Sequence, residues 1–209
     1  MDFFDRLETA RDRWNVLEHP FYVRWSAGEL TPEELAFYAA EYRHAVDALA
    51  TACEAAADDA TPAVRADLVR HAAEEREHVD VWDRFASAVG AELGREPLPE
   101  TIECTRAWTA ARNALEGFAV LYTIESGQPA ISQTKLDGLT EHYGVAAGSP
   151  ASDYFTIHAE LDHEHAAHSR ALLEEQLAEL DADRLLELSE AALRGNWALL
   201  DGVEQRFGR

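Results

Sequence analysis

The sequence predicts an all-α fold, a bundle of seven helices forming a single domain over residues 1–209. Apolar residues recur with a helical period along most of the chain, and the alternating pattern typical of strands is nearly absent. Residues that start and stop helices divide the chain into segments with short connections and no domain linker. With 47% hydrophobic residues, the chain can bury a core of its own.

The predicted helices follow from their end signals. Thr31-Pro32-Glu33-Glu34 is a capping box with proline at the first helical position, and Thr61-Pro62 opens the next helix. Gly127 and Pro129 break a later apolar run, and Asp181 caps the last helix. The predicted helices span residues 3–17, 31–57, 61–89, 102–125, 150–179 and 181–206. A shorter predicted helix runs from the break at 127–129 to residue 142.

The charge balance disfavours some classes of function. Forty acidic residues against 18 basic ones give a net charge of −22, a field that repels phosphate backbones and disfavours nucleic-acid binding. Lys135 is the only lysine among the basic residues, the rest being arginine. An acidic surface this poor in lysine suits a salt-rich cytoplasm, where counterions screen repulsion between the charges.

Neither a membrane nor an oxidising compartment is indicated. No apolar run approaches the ~18–20 residues that span a bilayer, and the first residues do not resemble a signal peptide. Cys53 and Cys104 lack CxxC spacing and a disulfide-rich context, so we expect buried free thiols in a reducing cytoplasm.

His158, Asp162 and His165 form the clearest chemical motif. At about 100° per residue, Asp162 lies ~40° to one side of His158 and His165 ~20° to the other. All three side chains therefore share one stripe of one helix. Two imidazoles and a carboxylate on such a stripe form a chelating arm suited to iron, manganese or zinc. His163 and His168 lie progressively off the stripe and are weaker candidates.

A second cluster lies on the helix after Thr61. Glu75 and His78 have the i, i+3 spacing that di-iron bundles use, and Glu74 can converge with His78 equally well. His71, Glu75 and His78 also repeat the spacing of the first arm, although an acidic face of this kind is more often solvated.

Glu125 is a third element, at the end of an otherwise apolar run. A carboxylate in that place is expected to be buried and to need a partner or a metal. Three arms from three helices match the requirement of a carboxylate-bridged dinuclear site. A cysteine nucleophile is disfavoured because neither cysteine has a base nearby in sequence, and no glycine-rich phosphate loop is present.

Several segments resemble a known group of proteins, the pyrroloquinoline-quinone synthase and thiaminase-like proteins. The segment HPFYVRWSAGELT at 19–31 is similar to their N-terminal signature. YTIES at 122–126, TKLDGL at 134–139 and YFTIH at 154–158 resemble one branch, the haem-oxygenase-like di-metal oxidases. The resemblance runs from about His19 to the last helix, so it implies the seven-helix haem-oxygenase-like fold for nearly the whole chain.

The resemblance also implies a ligand set for two metal ions, Fe/Fe or Fe/Mn, with O₂ as co-substrate and an external reductant. In the family these ligands are a Glu and a His on one helix, a single Glu, and a His/Asp/His arm. The matching positions here are Glu74 or Glu75, His78, Glu125, His158, Asp162 and His165. The family has a small loop between its first Glu and His that is shortened here, which leaves Glu74 and Glu75 as alternatives.

In the branch that the chain resembles, an enzyme cleaves one of its own tyrosines to make para-aminobenzoate for folate-type cofactors, and one of its own lysines donates the amino group. The matching residues here are Tyr22 and Lys135. The only lysine of the chain thus lies where this chemistry needs a primary amine, a role that the permanently protonated arginine cannot fill.

Other functions remain open from the sequence. The same metal site could serve an oxidase of an external amino or fatty acid, in which case Tyr22 and Lys135 would be spectators. A cofactor-free oxidase of the quinone-synthase type is a further alternative, and so is a non-catalytic helical binding or regulatory protein. The oligomeric state is also open, with a homodimer as one option.

Overall fold

The protein is built of helices joined by short loops. The structure, a computed structural model, describes residues 2–176 and 181–209 apart from the side chains of Leu161 and Gln176, and these ranges contain no strand. The all-α class is confirmed. The helices are α1 (Phe3–Arg13), α2 (Pro20–Ser26), α3 (Pro32–Asp59), α4 (Arg65–Ala88), α5 (Pro99–Trp108), α6 (Ala114–Glu125), α7 (Gln128–Glu141), α8 (Asp153–Gln176) and α9 (Ala182–Arg206).

The described ranges hold nine α-helices, two more than the predicted seven. One addition is α2, where His19 caps the helix through its ring and Pro20 occupies the first turn. The other arises because the predicted segment 102–125 divides into α5 and α6. Asn113 causes the division, since its side chain accepts hydrogen bonds from the amides of Leu115 and Glu116 and so starts a new helix.

Most other predicted boundaries agree with the structure. The capping box at Thr31 and the cap at Asp181 are both present. Helix α4 begins at Arg65 rather than at Thr61, because residues 61–64 form a hydrogen-bonded turn before it. The predicted end of the α8 segment at Glu179 lies outside the described residues.

The packing brings four helices around one buried region. Helix α3 packs along α4, while α6 and α7 both pack against α8. Helix α4 also faces α8, so side chains from α4, α6 and α8 meet in the interior, next to a wall formed by α3. Cys53 and Cys104 are buried free thiols, as predicted. Within the described ranges, no helix combines the length and apolarity that crossing a bilayer requires.

A close helix contact fixes α7 beside α2. The indole nitrogen of Trp25 donates a hydrogen bond to the carbonyl oxygen of Lys135 at 3.2 Å. A Cβ atom at Gly138, one turn further along α7, would lie 2.5 Å from the same indole ring. Glycine at 138 therefore permits the approach that holds Lys135 in place.

We expect Gly138→Ala to destabilise the fold by about 1–3 kcal/mol, the usual cost of overpacking. Alanine is the better helix former, so any loss must come from the clash with Trp25. Thermal and urea unfolding measure the effect. Gly94→Ala is the matched control, because a Cβ at Gly94 meets nothing within 4 Å. Equal stability of the two variants would show that α2 and α7 are less closely packed than described.

Candidate metal centre and aromatic pocket

Helix α4 directs Glu75 and His78 into the interior. Glu75 is only 1% exposed, and its Oε1 lies 3.2 Å from Nδ1 of His78. The two residues are three positions apart on a continuous helix, so their side chains converge directly.

The three side chains predicted as an arm on α8 face these groups. His158 and Asp162 are buried, while His165 retains slight exposure. The Nε2 atom of His158 lies 3.9 Å from Glu75 Oε2, and His165 Nδ1 lies 3.8 Å from Glu75 Oε1. The Nδ1 atom of His158 is 2.7 Å from the Tyr154 carbonyl oxygen, a contact that leaves Nε2 free to face the interior.

Helix α6 contributes Glu125, which is buried as predicted. Its Oε1 lies 2.9 Å from Nε2 of His71, on α4 one turn before Glu75. His71 is outside the ligand set that the resemblance implies. In the sequence, His71 is indicated as a possible member of the cluster by the His-x-x-x-acid-x-x-His spacing, which α4 repeats.

The structure separates the two glutamates that the sequence left as alternatives. Glu75 lies at the centre of the cluster, whereas the side chain of Glu74 is 42% exposed at its rim. Glu74 Oε2 lies 3.3 Å from Nε2 of His165, on the outer side of that ring. His163 is exposed and His168 half-buried, in keeping with their positions off the stripe.

The cluster is rich in buried polar atoms that have no hydrogen-bond partner among the described residues. These atoms are both carboxylate oxygens of Glu75 and of Glu125, His71 Nε2, His78 Nδ1, His158 Nε2, Asp162 Oδ2 and His165 Nδ1. Unsatisfied buried groups are costly and uncommon in proteins, and here nitrogen and carboxylate donors converge. This donor set fits transition-metal ions of the iron class.

The pKa shifts of the buried carboxyl groups also indicate a site for cations. Burial, together with the nearby carboxylates of Glu75 and Glu125, raises the pKa of Asp162 well above its usual range. Burial likewise raises the pKa of Glu125, although His71 opposes it. Burial also disfavours ionised Glu75, but contacts with His158 and His78 outweigh this and lower its pKa. Three buried carboxyl groups can ionise together only with nearby cations.

A cleft of about 340 Å³ leads to the cluster from the surface. His71, Glu74, His165 and His168 line it together with three charged residues, Asp67, Arg70 and Glu164. The cluster is therefore within reach of ions and small molecules from solvent.

Tyr22 and Lys135 lie together in an aromatic pocket. The Nζ atom of Lys135 is 5.8 Å from the Tyr22 ring centre, and the Tyr22 hydroxyl is 2.9 Å from that of Tyr38. Lys135 is fully buried, and its Nζ has no hydrogen-bond partner among the described residues. Burial alone lowers the pKa of Lys135 to about 7, so much of this amine is neutral at physiological pH.

The pocket is adjacent to the metal cluster rather than part of it. Within the described ranges, the Lys135 amine is surrounded by aromatic rings and lies near no carboxylate; the rings belong to Tyr22, Tyr38, Tyr42, Trp82 and Phe155. Trp82 packs on Tyr154 at 4.8 Å, and Tyr154 stacks on His158 at 3.9 Å. Ring contacts therefore connect two neighbouring sites, the aromatic pocket around Lys135 and the cluster of His and acidic residues.

The comparisons with known proteins identify the class. The profile of a haem-oxygenase-like family, described as iron-containing redox enzymes, matches residues 36–202, which include most of α3 and all of α4, α6 and α8. The chain belongs to this family. With the cluster of potential metal ligands, the match defines an oxidoreductase of the di-metal oxidase class.

Individual relatives are more specific. The chain is 34% identical to 4-aminobenzoate synthase of Chlamydia trachomatis, over 96% of this chain and 91% of that protein. It is 28% identical to 4-aminobenzoate synthase of Nitrosomonas europaea, over 98% and 92%. These matches confirm the resemblance seen in the sequence.

Solved structures confirm the fold. A haem-oxygenase-like domain of unknown function from Shewanella denitrificans matches with a TM-score of 0.82 at 19% identity, covering 99% of this chain and 94% of that one. A TenA homologue from Pseudomonas syringae matches with a TM-score of 0.82 at 16% identity, covering 97% and 91%.

We expect Lys135→Met to stabilise the protein at neutral pH. The unfolded chain holds the Lys135 proton up to about pH 10.5, whereas the folded chain releases it above about pH 7. Folding is therefore penalised fully below pH 7, by on the order of 5 kcal/mol, and the penalty disappears as the pH rises toward 10.5. Urea unfolding of both proteins at pH 7 and pH 10 measures this difference.

Arg70→Met is the control for that measurement, because Arg70 is exposed. Its stability difference from the unmodified protein should hardly change between the two pH values. A stability gain for Lys135→Met that is the same at pH 7 and pH 10 would contradict a depressed lysine pKa.

Proposed function

We propose that the protein makes para-aminobenzoate from the ring of its own Tyr22, with the amino nitrogen of Lys135 and with dioxygen as oxidant. The observation that carries this proposal is the placement of the chain's only lysine: its amine is buried and 5.8 Å from the Tyr22 ring centre. The proposal is also supported by relatives that are named 4-aminobenzoate synthases.

In this proposal the cluster holds two metal ions, either two irons or one iron and one manganese. The ligands would be Glu75, His78, Glu125, His158, Asp162 and His165, and Glu74 would contact His165 without binding metal. The ions supply the capacity to activate dioxygen, which side chains alone lack, and an external reductant supplies electrons. The orphaned donor atoms of the cluster support this assignment.

The aromatic pocket prepares both reactants. The apolar walls keep water from Lys135 and favour its neutral form, which is the nucleophilic one. Burial raises the pKa of Tyr22 well above its usual range, so the phenol keeps its proton. The hydrogen bond with Tyr38 and the edge contact with Phe21, whose ring centre is 5.5 Å away, orient the Tyr22 ring.

The second candidate is an oxidase of an external amino or fatty acid. The cleft of about 340 Å³ favours it, because a small substrate could reach His71 and His165 from solvent. In that function Tyr22 and Lys135 would only fill the core. Burying the Lys135 amine with no polar partner among the described residues costs free energy of folding. A role in packing alone does not account for that cost, which supports the first candidate.

Nitrogen labelling separates the two candidates. Protein produced with ¹⁵N-lysine, loaded anaerobically with Fe(II) and Mn(II) and exposed to oxygen, should release ¹⁵N-aminobenzoate, at most about one per chain because it consumes its own reagents. Lys135→Arg and Tyr22→Phe should each abolish the product while keeping bound metal, since neither residue touches the cluster. Mass spectrometry of the product and of the protein provides the readout. Unlabelled product, or full activity of Lys135→Arg, would rule out the donor role.

Asp162→Ala should reduce the bound metal sharply, because it removes a buried carboxylate of the cluster. Elemental analysis of the protein after anaerobic loading and desalting measures the metal content. Glu160→Ala is the control, since Glu160 lies on α8 but is exposed. Equal metal content in the two variants would remove Asp162 from the ligand set.

A further inference from the structure

Helices α4 and α8 carry the same pattern, a histidine followed by an acid four residues later and a second histidine three residues after that. The pattern comprises His71, Glu75 and His78 on α4 and His158, Asp162 and His165 on α8. The two patterns meet in reverse order. The ring of His78 lies 4.6 Å from that of His158, and the ring of His71 lies 4.0 Å from that of His165. Each end of the cluster therefore presents a pair of imidazoles.

Each imidazole pair also has carboxylates. At one end, ligand atoms of Glu75, His78 and His158 all lie within 4.8 Å of one another, and at the other end those of His71, Glu75 and His165 do so. Glu125 completes the second end, with Oε1 at 2.9 Å from His71 Nε2. Glu75 belongs to both groups, as a carboxylate between two metal ions would.

An ordinary buried ion pair between His71 and Glu125 is the simpler explanation, and two features count against it. His71 Nε2 and Glu125 Oε1 lie 2.9 Å apart, but their mutual orientation does not satisfy hydrogen-bond geometry. The His71 ring also lies against a second imidazole, that of His165, whose Nδ1 is likewise unsatisfied. A self-sufficient ion pair would leave none of these atoms in need of a partner.

Glu74 is better suited to an indirect role. Its Oε2 lies near Nε2 of His165, while Nδ1 of the same ring faces Glu75 and Asp162 at 3.8 and 3.7 Å. A metal-binding histidine usually donates its other ring N–H to a carboxylate, which orients the ring. Glu74 is placed for that task, so the outer end of the cluster needs another ligand.

We propose that His71 binds the second metal ion through Nε2, together with His165 and Glu125. This inference rests on the dinuclear site of the proposed function and deepens it. The site then has four histidines and three carboxylates, with Glu74 as a positioning residue rather than the ligand that the resemblance allows. Two imidazoles would hold each ion, and the pair of His71 and His165 lines the surface cleft.

The test is metal binding by full-length variants, measured under anaerobic conditions with Fe(II) or Mn(II). The unmodified protein should bind two ions per chain. His71→Asn keeps a polar side chain but loses the imidazole. The dissociation constant of the more weakly bound ion should therefore rise at least about 100-fold, while the other ion stays bound. In ⁵⁷Fe-loaded protein, one of two Mössbauer components should disappear. Glu74→Gln at saturating metal should retain both ions.

His163→Asn, on the exposed face of α8, is the matched control and should bind two ions normally. Two ions with unchanged affinity and spectra in His71→Asn would overturn the proposal, as would loss of the second ion from Glu74→Gln alone. Either result leaves the dinuclear site of the proposed function intact. If the unmodified protein binds no iron or manganese, the proposed function fails along with this inference.

Discussion

The structure depends on the burial of Glu75, Glu125 and Asp162 close together in the interior. Carboxylates in such a setting repel one another and are poorly solvated, so their joint presence is unfavourable unless cations neutralise them. The surrounding histidines offset part of this cost, but carboxylate oxygens of Glu75, Glu125 and Asp162 remain without a hydrogen-bond partner among the described residues. The apolar residues of the core are therefore arranged around a charged cluster, which metal ions would neutralise in the proposed function.

The long helices provide the rigidity that such a centre needs. Helices α4 and α8 each contribute a His/acid/His stripe, and α6 adds Glu125 from the end of an apolar segment packed against α8. Because the candidate ligands lie on continuous helices, their spacing is set by helix geometry rather than by loops. Alongside them, α2 and α7 bring Tyr22 and Lys135 into a pocket that contacts the centre through Trp82 and Tyr154.

Helical periodicity made much of the centre predictable. The stripe of His158, Asp162 and His165 follows from the angle per residue, and the interior position of Glu125 follows from the apolar run before it. The choice between Glu74 and Glu75 did not follow, because it depends on how α4 is rotated about its axis relative to α8. His71 has the correct spacing, but in the sequence it cannot be distinguished from a solvated acidic face.

The aromatic pocket was beyond sequence analysis for a different reason. Tyr38 and Tyr42 come from α3, Trp82 from α4 and Phe155 from α8, so only tertiary packing brings these rings to Lys135. The division of α5 from α6 was missed because a single asparagine cap was hidden within a helix-favouring stretch.

The rarity of lysine in this chain has a practical consequence. A lysine-specific endoprotease can cut the denatured protein only after residue 135, giving two fragments. A chain whose Lys135 has given up its amine would no longer be a substrate and would stay whole. The ratio of whole to divided chains on a gel then counts the spent molecules directly, without isolating any small product. Each molecule would thus carry a permanent record of whether it has reacted.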